Sequence, residues 1–247
     1  MQAEYQSPES RTAAIEDSYS YTETLSRPVF RTTYSLDRGP SVLFRYRVLK
    51  RCVDVALILL FSPVVLLVIG IVAVLVVISS PGPVFYSHRR IRRHGAFFSM
   101  WKFRTMCVNS AEVLEEYLAA HPVARKEWNK THKLRHDPRI TRIGSFLRRY
   151  SLDELPQFWN VLAGHMSLVG PRPIVAAEVE KYADCFECYC RVKPGLTGLW
   201  QVSGRSELDY DQRVALDCEY VNRWSLRRDM KILLKTAVVV LKQDGAY

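Results

Sequence analysis

Residues 55–78 form an uncharged, almost wholly apolar run. At about 1.5 Å per residue, roughly 24 helical residues are enough to cross a hydrocarbon core of about 30 Å. Two details complicate a simple span. Ser62-Pro63 interrupts the run, and a proline there removes a backbone donor and crowds the preceding turn, so a kink is expected. Both flanks are also basic: Arg45, Arg47, Lys50 and Arg51 lie ahead, and His88-Arg89-Arg90-Ile91-Arg92-Arg93 follows. Positive residues favour the cytoplasmic side of a membrane. A segment that dips into one leaflet and returns satisfies both flanks. Proline is nonetheless tolerated in spanning helices, so from the residues alone both topologies stay open. Asp54, at the entrance, requires a partner, and Arg51 is a candidate.

The 247 residues can hold one good-sized domain with appendages. Residues 1–41 are rich in Ser, Thr, Glu and Arg with few aliphatic side chains, and are expected to form a disordered tail. Their polar, mixed-charge start predicts no cleavable signal peptide. The division expected is a tail over 1–41, a membrane segment over 42–83 and a globular domain over 84–247. A formal net charge of +10 calls for an anionic partner: nucleic acid, anionic lipid or a phosphorylated substrate. The six cysteines form no secreted framework. Cys185, Cys188 and Cys190 cluster, but no second ligand pair follows, so reduced thiols in a cytoplasmic domain are expected rather than a zinc site.

Past Pro81-Gly82-Pro83, short strands are expected over 84–86 and 97–103 around a turn at Gly95. Ser110 is placed as the cap of a helix stopped near Pro122, with a further helix over 123–134. Residues 140–150 alternate apolar and basic, as in a helix lying on an anionic membrane surface. Helices are also expected over 158–162, 178–190, 210–224 and 230–241, the last packed on the core or lying at the interface. The fold class is α+β, mainly helical.

The chemistry concentrates in Ser151-Leu152-Asp153-Glu154-Leu155-Pro156-Gln157. Two adjacent carboxylates follow Arg142, Arg148 and Arg149 and precede Arg172. Cationic surroundings are expected to lower a carboxylate pKa and to attract anions. One reading makes Asp153 a nucleophile toward phosphorus, with Glu154 holding a divalent metal. The other is a capping box, Ser151 capping a helix and Glu154 reaching back. Pro171-Arg172-Pro173 is stiff on both sides of a guanidinium suited to phosphate. The glycine-rich stretch 194–205 ends in Arg205, and its glycines would let amides approach an anion.

Taken in order, Lys50-Arg51 with Asp54, Ser62-Pro63, Lys102-Phe103-Arg104-Thr105-Met106, residues 151–157, 166–173 and 194–205 resemble the monotopic phosphoglycosyl transferases of the bacterial sugar transferase family. The resemblance covers about four-fifths of the chain, from Lys50 onward. His88-Arg89-Arg90-Ile91, Leu233-Leu234-Lys235-Thr236 and Gly245-Ala246-Tyr247 look closer still to the rhizobial group that initiates exopolysaccharide synthesis.

That resemblance implies a monotopic membrane protein: a re-entrant membrane hairpin broken at Ser62-Pro63, and a catalytic domain on the cytoplasmic face of the bacterial inner membrane. It implies transfer of a hexose-1-phosphate, galactose before glucose, from a UDP-sugar to undecaprenyl phosphate with release of UMP, through an aspartyl-phosphosugar on Asp153. Glu154 matches the Mg²⁺ ligand. Lys102, Arg172 and Arg205 match positions facing the phosphates, and Arg104 lies in a matched segment, as do Gln201 and Asp217, for which no chemical step is evident. The group's short chains lack a large membrane domain in front, and this chain is expected to do likewise. Where many members carry an acid before Met166-Ser167, this chain has His165, expected to be a buried, hydrogen-bonded structural residue. A homodimer is compatible with these features. The competing readings are a membrane-anchored basic protein binding anionic lipid or nucleic acid, and a single-pass enzyme with its tail outside. The interleaved aromatics of a single-strand binder are missing, so no nucleic-acid partner is expected.

Overall fold

The computed structural model describes residues 45–131, 133–204 and 207–242. The expected tail, Arg205 and the closing Gly245-Ala246-Tyr247 lie outside them. A π-helical turn, Arg45–Leu49, leads into helix α1, Lys50–Ser79. This helix is apolar and long enough to cross a membrane. Pro63 sits inside it. Having no N–H, Pro63 leaves the carbonyl of Leu59 without its helical donor, and the Ser62 hydroxyl donates to that carbonyl at 2.8 Å. The hydrogen-bonded helix therefore runs on through Pro63.

Towards each end, α1 packs a few side chains against the rest of the chain. Lys50, Asp54 and Ile58 are covered near its start, Val72 and Val76 near its end. Between them Leu59, Leu60, Phe61, Val64, Leu66 and Leu67 are exposed. The polar side chains at the start make specific ties. Arg51 donates to the carbonyls of Val161 and Leu162. Asp54 is not paired with Arg51 as expected; it accepts from the Ser167 hydroxyl at 2.6 Å and the Leu168 amide at 3.3 Å. The reason is that Arg51 is already committed to the C-terminal carbonyls of another helix, which carry the negative end of its dipole.

Strands β1, Phe85–Ile91, and β2, Phe97–Phe103, form an antiparallel hairpin, turning through Gly95 at φ 70°. The first strand is longer than expected and takes in His88-Arg89-Arg90-Ile91 of the basic segment. Helices α2, Ser110–Ala120, and α3, Pro122–Thr131, follow. Ser110 is not a cap; Asn109 holds that position and caps with its side chain no more than Ser110 does. Pro122 opens the next helix, where a missing N–H costs nothing. Helix α4, Arg142–Arg149, is capped by Thr141, whose side chain accepts from the Gly144 amide at 2.9 Å. Helix α5, Gln157–Leu162, then leads to β3, Ser167–Val169.

The expected helix over 178–190 is two: α6, Val179–Tyr182, and α7, Cys185–Cys190, separated at Ala183 with φ 43°. A residue at positive φ cannot continue a right-handed helix. Strand β4, Gly195–Thr197, inside the expected loop, pairs in parallel with β3. Helices α8, Tyr210–Asn222, and α9, Leu226–Lys242, close the described chain. The main core joins Phe98, Met100, Val161, Met166, Val192, Tyr220 and Ile232. The outer face of α9 leaves Leu234, Val238 and Leu241 exposed, while Ile232 is buried. The mainly helical α+β class expected from the sequence holds.

Candidate active site

The carboxylate pair sits on a single 3-10 turn, Leu152–Glu154, between α4 and α5. The capping-box reading fails there. Ser151 is left-handed, φ 55° and ψ 21°, and its side chain makes no capping hydrogen bond. What fixes the turn is the helix that follows. Asn160 of α5 reaches the outer edge of β2, accepting from the Trp101 amide at 3.0 Å and donating to the Ser99 carbonyl at 2.7 Å. Its carboxamide thus supplies the hydrogen bonds a third strand would have made. The next residue along β2, Lys102, is thereby held over the turn. Its ammonium lies 2.6 Å from Glu154 Oε1 and 3.5 Å from Asp153 Oδ2.

Arg148 approaches Asp153 from α4, fixed by a bond from its Nε to the Thr105 hydroxyl at 2.8 Å. Asp153 is 8% exposed. Burial raises its pKa, the charge of Glu154 adds to this, and Lys102 and Arg148 pull back without reversing it. The expected lowering by cations is therefore corrected: the cost of desolvating the carboxylate exceeds their attraction. The outcome is a more basic carboxylate, held in place by a lysine.

Above the turn lies a cavity of about 940 Å³, lined by basic side chains around the two acids. Lys102, Arg104, Arg148 and Arg172 all reach it, with Gln157 and Gln201. Arg104 lines it while its guanidinium donates to the carbonyls of Ser80 and Pro81 at the end of α1. Arg172 is carried there by β3 and the turn after it. The Gly170 amide donates to Thr197 O and the Gly195 amide to Pro171 O, at 2.9 and 2.8 Å. This welds the Pro-Arg-Pro turn to the glycine-rich segment. A Cβ on Gly195 would lie 2.1 Å from the Gly170 nitrogen, so this glycine serves backbone packing rather than a ligand cradle. Arg172 comes to rest 5.7 Å from the Trp200 ring centroid.

Asp217 lies beneath this turn and does not line the cavity. Its carboxyl group accepts from the Tyr182 hydroxyl at 2.8 Å. Burial pushes its pKa up to about 8, against the Tyr182 bond and the nearby Arg172. His165 is half-buried against Phe98, ring centroids 5.9 Å apart, rather than buried and hydrogen-bonded, because Gly164 turns the chain out at φ 80°. Gln157 and Arg213 are among the lining residues that the sequence did not single out as site residues. Gln157 is 2% exposed, and its Nε2 has no hydrogen-bond partner among the described residues. Its spacing of four from Asp153 was the available signal, since that spacing can return a side chain to the same side. Arg213 lies at the start of a helix remote in sequence.

Among the described residues, no group of three or more acidic, His or Cys side chains could hold a metal. The adjacent Asp153 and Glu154 still fit Mg²⁺, which ordinarily takes one or two carboxylates and completes its shell with water and substrate phosphates.

The profile of the bacterial sugar transferase family matches residues 45–243. The chain belongs to that family. It is 59% identical over 166 residues to an undecaprenyl-phosphate galactose phosphotransferase of Salmonella typhimurium, covering 67% of this chain and 35% of that one. It is 54% identical over 202 residues to a UDP-galactose-lipid carrier transferase of Erwinia amylovora, covering 81% and 42%. It is 48% identical over 202 residues to the exopolysaccharide production protein ExoY of Sinorhizobium fredii, covering 80% and 88%. The chain thus spans well under half the length of the first two relatives and most of the third.

Proposed function

We propose that the protein transfers a hexose-1-phosphate, galactose before glucose, from a UDP-sugar to undecaprenyl phosphate and so initiates exopolysaccharide synthesis. The observation that carries this reading is the Asp153-Glu154 turn: a buried, basic carboxylate, clasped by Lys102, on the floor of a cationic cavity. The names of the relatives supply the substrate class.

The route is two displacements at one phosphorus. An oxygen of Asp153 bonds to the sugar-bearing phosphorus, and the bond to UMP breaks, UMP leaving with the electron pair. A phosphate oxygen of the lipid then bonds to the same phosphorus, and Asp153 departs as a carboxylate. Lys102 orients the attacking carboxylate, and the arginines balance the charge that moves onto the leaving oxygen. Mg²⁺ would be held by Glu154 with Asp153 and would supply charge neutralisation of the diphosphate.

The lipid substrate requires the cavity to face a membrane. We read α1 as re-entrant, entering and leaving one leaflet through Ser62-Pro63, with the catalytic part on the cytoplasmic face of the inner membrane. The side chains packed near each end, the exposed middle and the basic flanks support this.

The test is to incubate the purified chain with undecaprenyl phosphate, Mg²⁺ and a panel of UDP-hexoses, and to measure UMP. UDP-galactose should give the fastest release; no UMP from any donor would overturn the reading. Denaturing the protein after exposure to radiolabelled donor alone should leave label on Asp153. For topology, a cysteine placed at Ser20 should react with an impermeant reagent only from the cytoplasmic side.

A further inference from the structure

Two arginines from distant parts of the chain rest against one indole. Arg172 lies 5.7 Å from the Trp200 ring centroid and Arg213 lies 5.0 Å from it. Trp200 is 6% exposed, and all three residues line the cavity. Arg213 is positioned rather than loose: its Nε donates to the Leu208 carbonyl at 3.1 Å. Other cavity cations are already engaged, Lys102 by Glu154, Arg148 by Thr105 and Arg104 by the carbonyls of Ser80 and Pro81. Arg172 and Arg213, by contrast, form no ion pair with a carboxylate among the described residues. Asp217, which lies near Arg172, has its pKa lifted by burial to about 8.

Two like charges gathered at one ring repel each other unless an anion is present between them. An indole holds a guanidinium by its face and leaves the N–H edge free. Both residues line the same cavity, and each guanidinium carries the bidentate donor set that phosphate oxygens take. We infer that Arg213, with Arg172 beside the same Trp200, forms a second anion subsite of the cavity, which binds a substrate phosphate other than the one Asp153 attacks. That group is a phosphate of the nucleotide or the phosphomonoester of the lipid acceptor. This choice, and the contrast with the phosphate that Asp153 attacks, rest on the transferase reading; the anion subsite does not.

The purified full chain should be titrated with UDP and, separately, with inorganic pyrophosphate, as wild type, Arg213→Gln and Arg213→Lys. Arg213→Gln should weaken binding about tenfold, the loss of one charged bidentate contact, and Arg213→Lys, which keeps charge without the planar fork, should fall between. In turnover the loss should fall on KM more than on kcat. A raised donor KM assigns the subsite to the nucleotide, and a raised acceptor KM assigns it to the lipid phosphate. Should Arg213→Gln fail to fold, Arg213→Lys alone decides, by a weakened Kd. Binding constants and both KM values within about twofold of wild type would overturn the subsite. If the wild type transfers no sugar phosphate, the transferase reading fails, and the two titrations still decide whether the subsite exists.

Discussion

Asp153 is asked to be both buried and charged, and Lys102 is the side chain that makes this tolerable. Asp153→Asn removes the attacking oxygen's charge while keeping its shape. It should lower UMP release on the order of 10³-fold or more with an unchanged melting temperature. Lys102→Met leaves two adjacent carboxylates without their shared cation and should cost about 10²–10³-fold in kcat, read in the same assay. Asp217 gives a test independent of activity. In the unfolded chain an aspartate titrates near 3.9, and folded it titrates at about 8. Between those values the folded chain holds one more proton than the unfolded chain, so stability falls as pH rises across that window, by at most about 1.4 kcal/mol per pH unit. Asp217→Asn should flatten the fall in melting temperature between about pH 4 and pH 8. Superimposable profiles for the two proteins would show that the buried carboxyl is not protonated. The acidic pair was legible in the sequence because its members are adjacent and ringed by arginines. Arg213 was not, because a single arginine on an amphipathic helix looks like any solvated charge until the fold brings an indole to it.

Among the elements, the turn holding the acids depends on how closely α4 approaches the exit of β2. A Cβ on Gly144 would lie 2.0 Å from the Thr105 carbonyl oxygen, and that oxygen also accepts from the Thr141 amide at 3.1 Å. Gly144→Ala must therefore push helix and strand apart, at a cost of about 2–3 kcal/mol. Thermal unfolding should show the loss, and activity should fall with it because Arg148 leaves Thr105. A variant as stable as wild type would mean that the two elements are not this tightly joined. Helix α1 was plain from its apolar run, and the Ser62-Pro63 interruption was plain as well. The relation between them was not. Ser62 donates to the carbonyl that Pro63 orphans, and one helix, Lys50–Ser79, runs through the position where a kink is expected. The split at Ala183 and the parallel pairing of β3 with β4 were likewise hidden, since neither an alanine at positive φ nor a three-residue strand has a periodicity to read.

Across the whole molecule, Lys50 and Asp229 close the chain on itself. They are 179 residues apart and pair at 2.6 Å in a buried site. Asp229 also accepts from the Tyr220 hydroxyl at 2.8 Å and the Trp224 indole at 3.0 Å. Lys50→Met would strand a buried carboxylate and should cost about 3–5 kcal/mol, measured as a lowered unfolding midpoint in detergent. Adding Asp229→Asn should restore part of that loss, because the stranded charge goes with it. Equal destabilisation in the single and double variants would show that the two are not coupled.

The sequence by itself determined what short-range patterns can encode: an apolar segment of membrane length between basic flanks, the stiff Pro-Arg-Pro turn, the neighbouring acids, and the ordered motifs that mark the family. Only the tertiary structure decided which charges are shared and which are left open to a ligand. Desolvation, ion pairing and cation–π contact depend on distances between residues far apart in the chain, and local sequence carries no measure of them.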